Sequence, residues 1–123
     1  MSTLRVGIAS YEQMKARTLA IARGEVKPGP HDPKVWFTST ESMARVLSAK
    51  NRELLETIRL KAPQSLTELA EQTGRKKPNL SRTLKTMQRY GLVEVHQEGR
   101  GRLVAKVPYT RVAMVLELGP AAH

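Results

Sequence analysis

The sequence predicts an α+β fold, mainly helical, in which a strand–helix extension precedes a helical domain that ends in a β-hairpin. Three observations predict it. Apolar residues alternate with period two at the start of the chain. Apolar stripes at helical spacing, opened by hydroxyl or Asn residues, fill the middle. Two β-prone runs then flank a short segment holding Gly99 and Gly101.

Residues 4–9 alternate Leu4, Val6 and Ile8 with Arg5, Gly7 and Ala9, the pattern of a half-buried strand. Ser10 then caps a helix whose Tyr11, Met14, Thr18, Ile21 and Ala22 share a stripe, with Glu12, Lys15, Arg17 and Arg23 facing away and Gly24 as the stop. Residues 27–33 carry three of the seven prolines and form an extended connection, because each proline removes a backbone donor and restricts its predecessor. This is the one internal boundary the composition offers. Val35, Trp36 and Phe37 make a short β-prone run with the only Trp and only Phe of the chain, read as core anchors in preference to a partner-binding patch.

Thr38 and Glu41 have the spacing of a capping box for a helix with Met43, Val46 and Leu47 as its stripe. Asn51 is the expected cap of a second helix over residues 52–61, with Leu54, Leu55 and Ile58 inward and Pro63 ending the run. Ser65 and Glu68 open a third over residues 66–73, with Leu66, Leu69 and Ala70 on one face and Gly74 closing it. Pro78 suits the first turn of a fourth, whose buried stripe is Leu80, Leu84 and Met87 and whose stop is Gly91. Residues 92–95 and 103–107 then form the hairpin, its tip glycines supplying positive φ. Residues 112–118 are a last apolar run, compatible with strand or helix. The expected organisation is a strand–helix extension with its Pro-rich connection over residues 1–37, a domain over 38–108, and a C-terminal apolar segment over 109–123.

Composition narrows the function. The chain has 123 residues, 21 Lys plus Arg against 11 Asp plus Glu, and a formal charge of +10, which points to a polyanionic partner. It has no Cys, so disulfides, thiolate zinc sites and Cys nucleophiles are excluded. No segment approaches the roughly 18 apolar residues of a membrane span, and the N-terminus lacks the pattern of a secretory signal; the expected location is the cytoplasm, on the nucleoid. His31, His96 and His123 stand apart without a second ligand at metal spacing, and no phosphate loop or nucleophile set is evident. The expectation is no catalytic residue, no metal, no cofactor and no enzyme.

The positive signal lies between residues 70 and 106. Ala70, Gly74 and Leu80 have the offsets of a helix-turn-helix, in which a small residue lets the second helix approach the first. Between Arg75 and Tyr90 there are six basic residues and no acidic one. A helix starting at Lys77 behind a Lys76 cap presents Lys77, Asn79, Ser81, Arg82, Lys85 and Arg89 outward, the side chains that base edges and phosphates call for. An ordinary solvated face is the alternative, and such faces usually mix charge signs. Residues 75–106 hold nine basic and two acidic residues, net +7, leaving +3 for the other 91. Arg100 and Arg102 flank Gly101 at the hairpin tip, where a narrow minor groove attracts guanidinium groups. The fold expected is therefore a winged helix-turn-helix with a β-hairpin wing, and the DNA-binding residues are Arg75, Lys76, Lys77, Asn79, Ser81, Arg82, Lys85, Arg89, Arg100 and Arg102.

The segment PQSLTELAEQTGRKKPNLSRTLK at residues 63–85, continued by YGLV at 90–93, resembles the MarR-type winged helix-turn-helix regulators over about residues 51–108. The words SYE at 10–12, KARTLAIARG at 15–24 and PKVWFTS at 33–39 also resemble a narrower group of prokaryotic regulators similar to the TumA-like antitoxins of toxin–antitoxin pairs. That likeness implies a homodimer, autoregulation, and a toxin protein held by segments outside the DNA reader. Many winged helices place Ser or Thr early in the second helix, where this chain has Lys76, Lys77 and Pro78, a departure that shifts weight to ammonium–phosphate contacts. The function expected is sequence-specific double-stranded DNA binding by a transcriptional repressor. The alternative is an antitoxin that neutralises its toxin by direct binding. RNA is disfavoured by the scarcity of aromatics for base stacking. Residues 4–8 and 112–118 are the candidate dimer contacts.

Overall fold

The computed structural model describes residues 2–118, so the expected incidental His123 lies outside the described residues. Their chain order is β1 (Thr3–Ile8), α1 (Tyr11–Ala22), β2 (Val35–Phe37), α2 (Thr40–Val46), α3 (Ala49–Lys61), α4 (Leu66–Thr73), α5 (Lys77–Tyr90), β3 (Glu94–Glu98), β4 (Arg102–Lys106) and β5 (Arg111–Val115). This is a small α+β domain with two sheets. β3 and β4 form an antiparallel hairpin, and β1 lies between β2 and β5, parallel to both. The last apolar run, open between strand and helix from its pattern, is thus a strand up to Val115, with Leu4 opposite Val112 and Val6 opposite Val35 and Met114. Parallel neighbours require long crossovers. α1 and the Pro-rich connection supply one; α2 to β4 supply the other.

Local chemistry sets the helix starts, in two places differently from expectation. α2 is capped by Ser39, not Thr38, and Ser39 pairs reciprocally with Ser42 rather than with Glu41. α3 is capped by Ser48, whose hydroxyl accepts from the Asn51 N–H, so the helix starts three residues before the expected position. Asn51, sitting inside the first turn, instead donates through its side chain to the Val46 carbonyl. Ser65 caps α4 as expected, but the Glu68 carboxylate accepts from the Gln64 N–H instead of returning to Ser65. Gly74 and Gly91 end α4 and α5 in the left-handed conformation.

One buried cluster joins Val6, Val35 and Phe37 of the parallel sheet to Leu54 and Ile58 of α3, Leu69 of α4, and Leu80, Leu84 and Met87 of α5. Phe37 is fully buried and stacks on Tyr90 with ring centroids 4.6 Å apart, tying β2 to the end of α5. Tyr109 donates its hydroxyl to the Leu92 carbonyl at 2.6 Å and fixes the exit from the hairpin domain.

α1 departs from the expected amphipathic reading. It buries none of its residues, and Tyr11 is 76% exposed. The stripe fails because Thr18 interrupts it and Leu19 falls outside it, leaving no continuous apolar face. α1 is attached through Arg17 instead, which bonds Asp32 at 3.0 Å and lies 5.7 Å over the Trp36 ring. The Gly29 N–H and the Arg17 guanidinium hold the Asp32 carboxyl below the usual carboxylate range. Trp36 in turn covers Gly7, where an added Cβ would come within 2.7 Å of the indole.

Candidate nucleic-acid interface

α5 is the centre of the site. Leu80, Leu84 and Met87 anchor it in the core, and on a 3.6-residue period this commits the opposite side to solvent. That side carries Asn79, Arg82, Lys85 and Arg89, all exposed; Lys77, three residues before Leu80 and so above the buried stripe, is exposed because it lies in the first turn, and Lys76 is exposed at the cap. No acidic residue occurs in the helix, and none of its cations forms an ion pair among the described residues.

The start of α5 is chemically distinct. Each of α1 to α4 is capped by a Ser hydroxyl that accepts from a first-turn N–H. α5 has no side-chain cap: Lys76 occupies the position and Pro78 has no N–H to offer. The backbone N–H groups of Lys77 and Asn79 therefore lack intrahelical acceptors, at the positive end of the helix dipole and beside two ammonium groups. Such an end can hold an anion through N–H donors and cations together.

Two expected site residues are placed differently. Arg75 is half-buried and spent inside the molecule: its guanidinium donates to the Asn51 side chain at 3.2 Å and to the Lys50 carbonyl at 2.7 Å, pinning the α4–α5 turn to the start of α3. Ser81 is also half-buried, because it lies on the flank of α5 that faces α4 and the hairpin. It lines a cleft of about 340 Å³ with Leu66, Leu69, Leu84, Val95 and Leu103. Conversely, Thr83 and Thr86, absent from the expected set, share a shallow depression with Asn79 and Arg82. The spacing 79, 82, 83, 86 is a helical stripe and could have revealed them.

The hairpin turns through Gly99, Arg100 and Gly101, with φ of +62° and +68° at the two glycines. Arg100 is exposed at the tip and has no ion pair among the described residues. Arg102 sits opposite Glu98 in the ladder and approaches its carboxylate at 3.5 Å, a loose exposed pair that costs little to break. His96 lies 3.2 Å from Glu94, His31 is exposed, and no group of three potential metal ligands occurs among the described residues. No helix there is long and apolar enough to cross a membrane.

These features define a small α+β domain whose densest uncompensated positive charge follows one helix and the tip of one hairpin. A family model, HVO_A0114, matches residues 46–114, more than half of the chain, and the chain belongs to that family. The match runs from the end of α2 into β5, and includes α5 and the whole hairpin but not β1, α1 or β2. No curated protein and no solved structure matches the chain.

Proposed function

We propose that the chain is a winged helix-turn-helix protein that binds double-stranded DNA sequence-specifically, as a transcriptional repressor acting on the nucleoid. α4 and α5 are the helix-turn-helix, α5 the reading helix, and β3–β4 the wing. The observation that carries this reading is the exposed side of α5, rich in cations, free of acids and set on a buried apolar stripe. Asn79 and Arg82, with Thr83 and Thr86 beside them, have the donors and methyl groups that major-groove base edges select. Lys76, Lys77, Lys85, Arg89 and the open N–H groups hold phosphates, and Arg100, with Arg102 behind it, reaches the adjacent minor groove or backbone. The likeness of residues 63–93 to MarR-type regulators supports the same assignment.

The test is anisotropy titration against a duplex selected from a random pool and against random duplex. Arg82→Ala is expected to cost about 1 to 3 kcal/mol on the selected duplex alone, and Lys77→Ala to weaken both duplexes alike and flatten the salt slope by about one unit. Equal losses on both duplexes for both variants would remove Arg82 from base reading.

A second reading is an antitoxin that neutralises a toxin protein by direct binding and uses DNA only for autoregulation. One observation favours it: α1 presents exposed Tyr11 and Leu19 and buries none of its residues, its inward side being only half-buried at Met14, Arg17, Ala20 and Ile21. Co-purification with the product of a neighbouring gene, lost on Tyr11→Arg, tests this.

A further inference from the structure

β1 has a strand on each side, so its backbone edges are used within the chain, and residues 4–8 have no edge left to offer a second molecule. β5 is the outermost strand beside it. Its far edge pairs with nothing among the described residues. Unlike a protected edge, it carries no proline, and of residues 111–117 only the two ends, Arg111 and Glu117, are charged.

We propose that β5, whose strand ends at Val115 in the single chain, continues through Leu116 and Glu117 when it pairs with β5 of a second copy, antiparallel about a two-fold axis at Met114, joining two three-stranded sheets into one. A two-fold antiparallel pairing matches residues whose numbers have a constant sum, and the charges select that sum. An axis at Met114 puts Arg111 opposite Glu117 of the other copy, and the reverse, so two ion pairs close the ends of the ladder. An axis at Ala113 would face Arg111 with Val115 and leave Glu117 without a partner. In the Met114 register the other face matches as well: Val112 meets Leu116 of the second copy and Met114 meets Met114. Met114 and Leu116 are 48% and 52% exposed in the single chain. Val112 and Met114 border a groove of about 610 Å³ lined by apolar Met43, Leu47 and Leu55 and also by Arg52, Glu56 and Arg59; the second copy's Met114 and Leu116 would cover its apolar part. The interface rests on the free strand edge; its consequence, an operator with two-fold symmetry, rests also on the DNA-binding reading.

Sedimentation equilibrium of the full chain without DNA tests the pairing. The wild type is expected to dimerise at micromolar concentration. Glu117→Arg, which sets two arginines opposite each other twice, is expected to weaken association about tenfold, and Arg111→Glu combined with Glu117→Arg to restore it. Glu117 is exposed and makes no ion pair among the described residues, so its substitution leaves the fold intact. Because the chain has no Cys, Met114→Cys gives a single thiol per copy, and oxidation is expected to link the two copies at the axis, where opposed Cα atoms lie within disulfide range. A monomer at about 100 micromolar, or a dimer indifferent to Glu117→Arg and not linked through the introduced thiol, overturns the proposal. Failure of the double reversal to restore association overturns the register. None of these readouts involves DNA, so their failure and the failure of DNA binding are separable.

Discussion

Tyr109 and Arg75 show how single side chains hold the domain in shape around the exposed helix. The Tyr109 hydroxyl is committed to the Leu92 carbonyl, and burial pushes its pKa up from 10.0 to about 12. The fold therefore favours the neutral phenol. An unfolded chain loses this proton near pH 10 while the folded chain keeps it to about pH 12, so the stabilisation is complete below pH 10 and lost as the pH rises from 10 to 12. In denaturant titrations the wild type should lose stability relative to Tyr109→Phe across that interval and fall below it by its upper end. At neutral pH the variant should be less stable by about 1 kcal/mol through loss of the hydrogen bond. Arg75 marks a limit of reading residues from sequence. A cation beside a cluster of cations looks like part of that cluster, and nothing in the sequence says that Asn51, 24 positions earlier, turns its side-chain carbonyl to it.

At the scale of the element, α5 sacrifices stability at its own start. Lys76 and Lys77 stand where the helix dipole favours acids, and the cap position lacks the hydroxyl that the other four helices carry. Lys77→Glu should therefore raise thermal stability, by about 0.3 to 1 kcal/mol at low salt, while weakening binding to duplex DNA more than Lys77→Ala does. A variant that lost both, or gained both, would contradict the assignment. The elements themselves are largely legible in the sequence. The stripe of Leu80, Leu84 and Met87, the Gly74 and Gly91 stops, and the two tip glycines all read directly, because each is a local rule of spacing or φ. Caps are legible only to within a few residues. Ser39, Ser48 and Thr38 offer similar hydroxyls, and which one bonds depends on where the chain enters the helix. Ser81 escapes a reading of its own helix for a related reason: its exposure is decided by α4 and the hairpin.

The whole molecule divides by depth of packing rather than by position in the chain. Residues before the Pro-rich connection read as an appendage, yet β1 is the central strand, and Val6 belongs to the same buried cluster as Leu54 and Leu80. Parallel pairing between the beginning of the chain and its last strand leaves no local mark in a sequence. α1 is the reverse case, a well-capped helix with no buried residue. Amide exchange should separate the two: α1 exchanging early, while α3, α5 and β1 persist to the global unfolding limit. Slow exchange throughout α1 in the isolated chain would show packing that this fold does not provide.

The bond from the Ser2 hydroxyl to the Pro108 carbonyl joins positions 106 residues apart, and the β1–β5 ladder begins beside it. On a ribosome, β1 is made well before β5, one of its two neighbours. Until β5 follows, the central strand has an open edge, while α3 to α5 and the hairpin, whose contacts are local, can already assemble. The interval ends only when Arg111 to Val115 emerge, so a pause or truncation ahead of them leaves a nascent chain with a folded basic helix and an uncovered apolar strand, the species that a chaperone would find first.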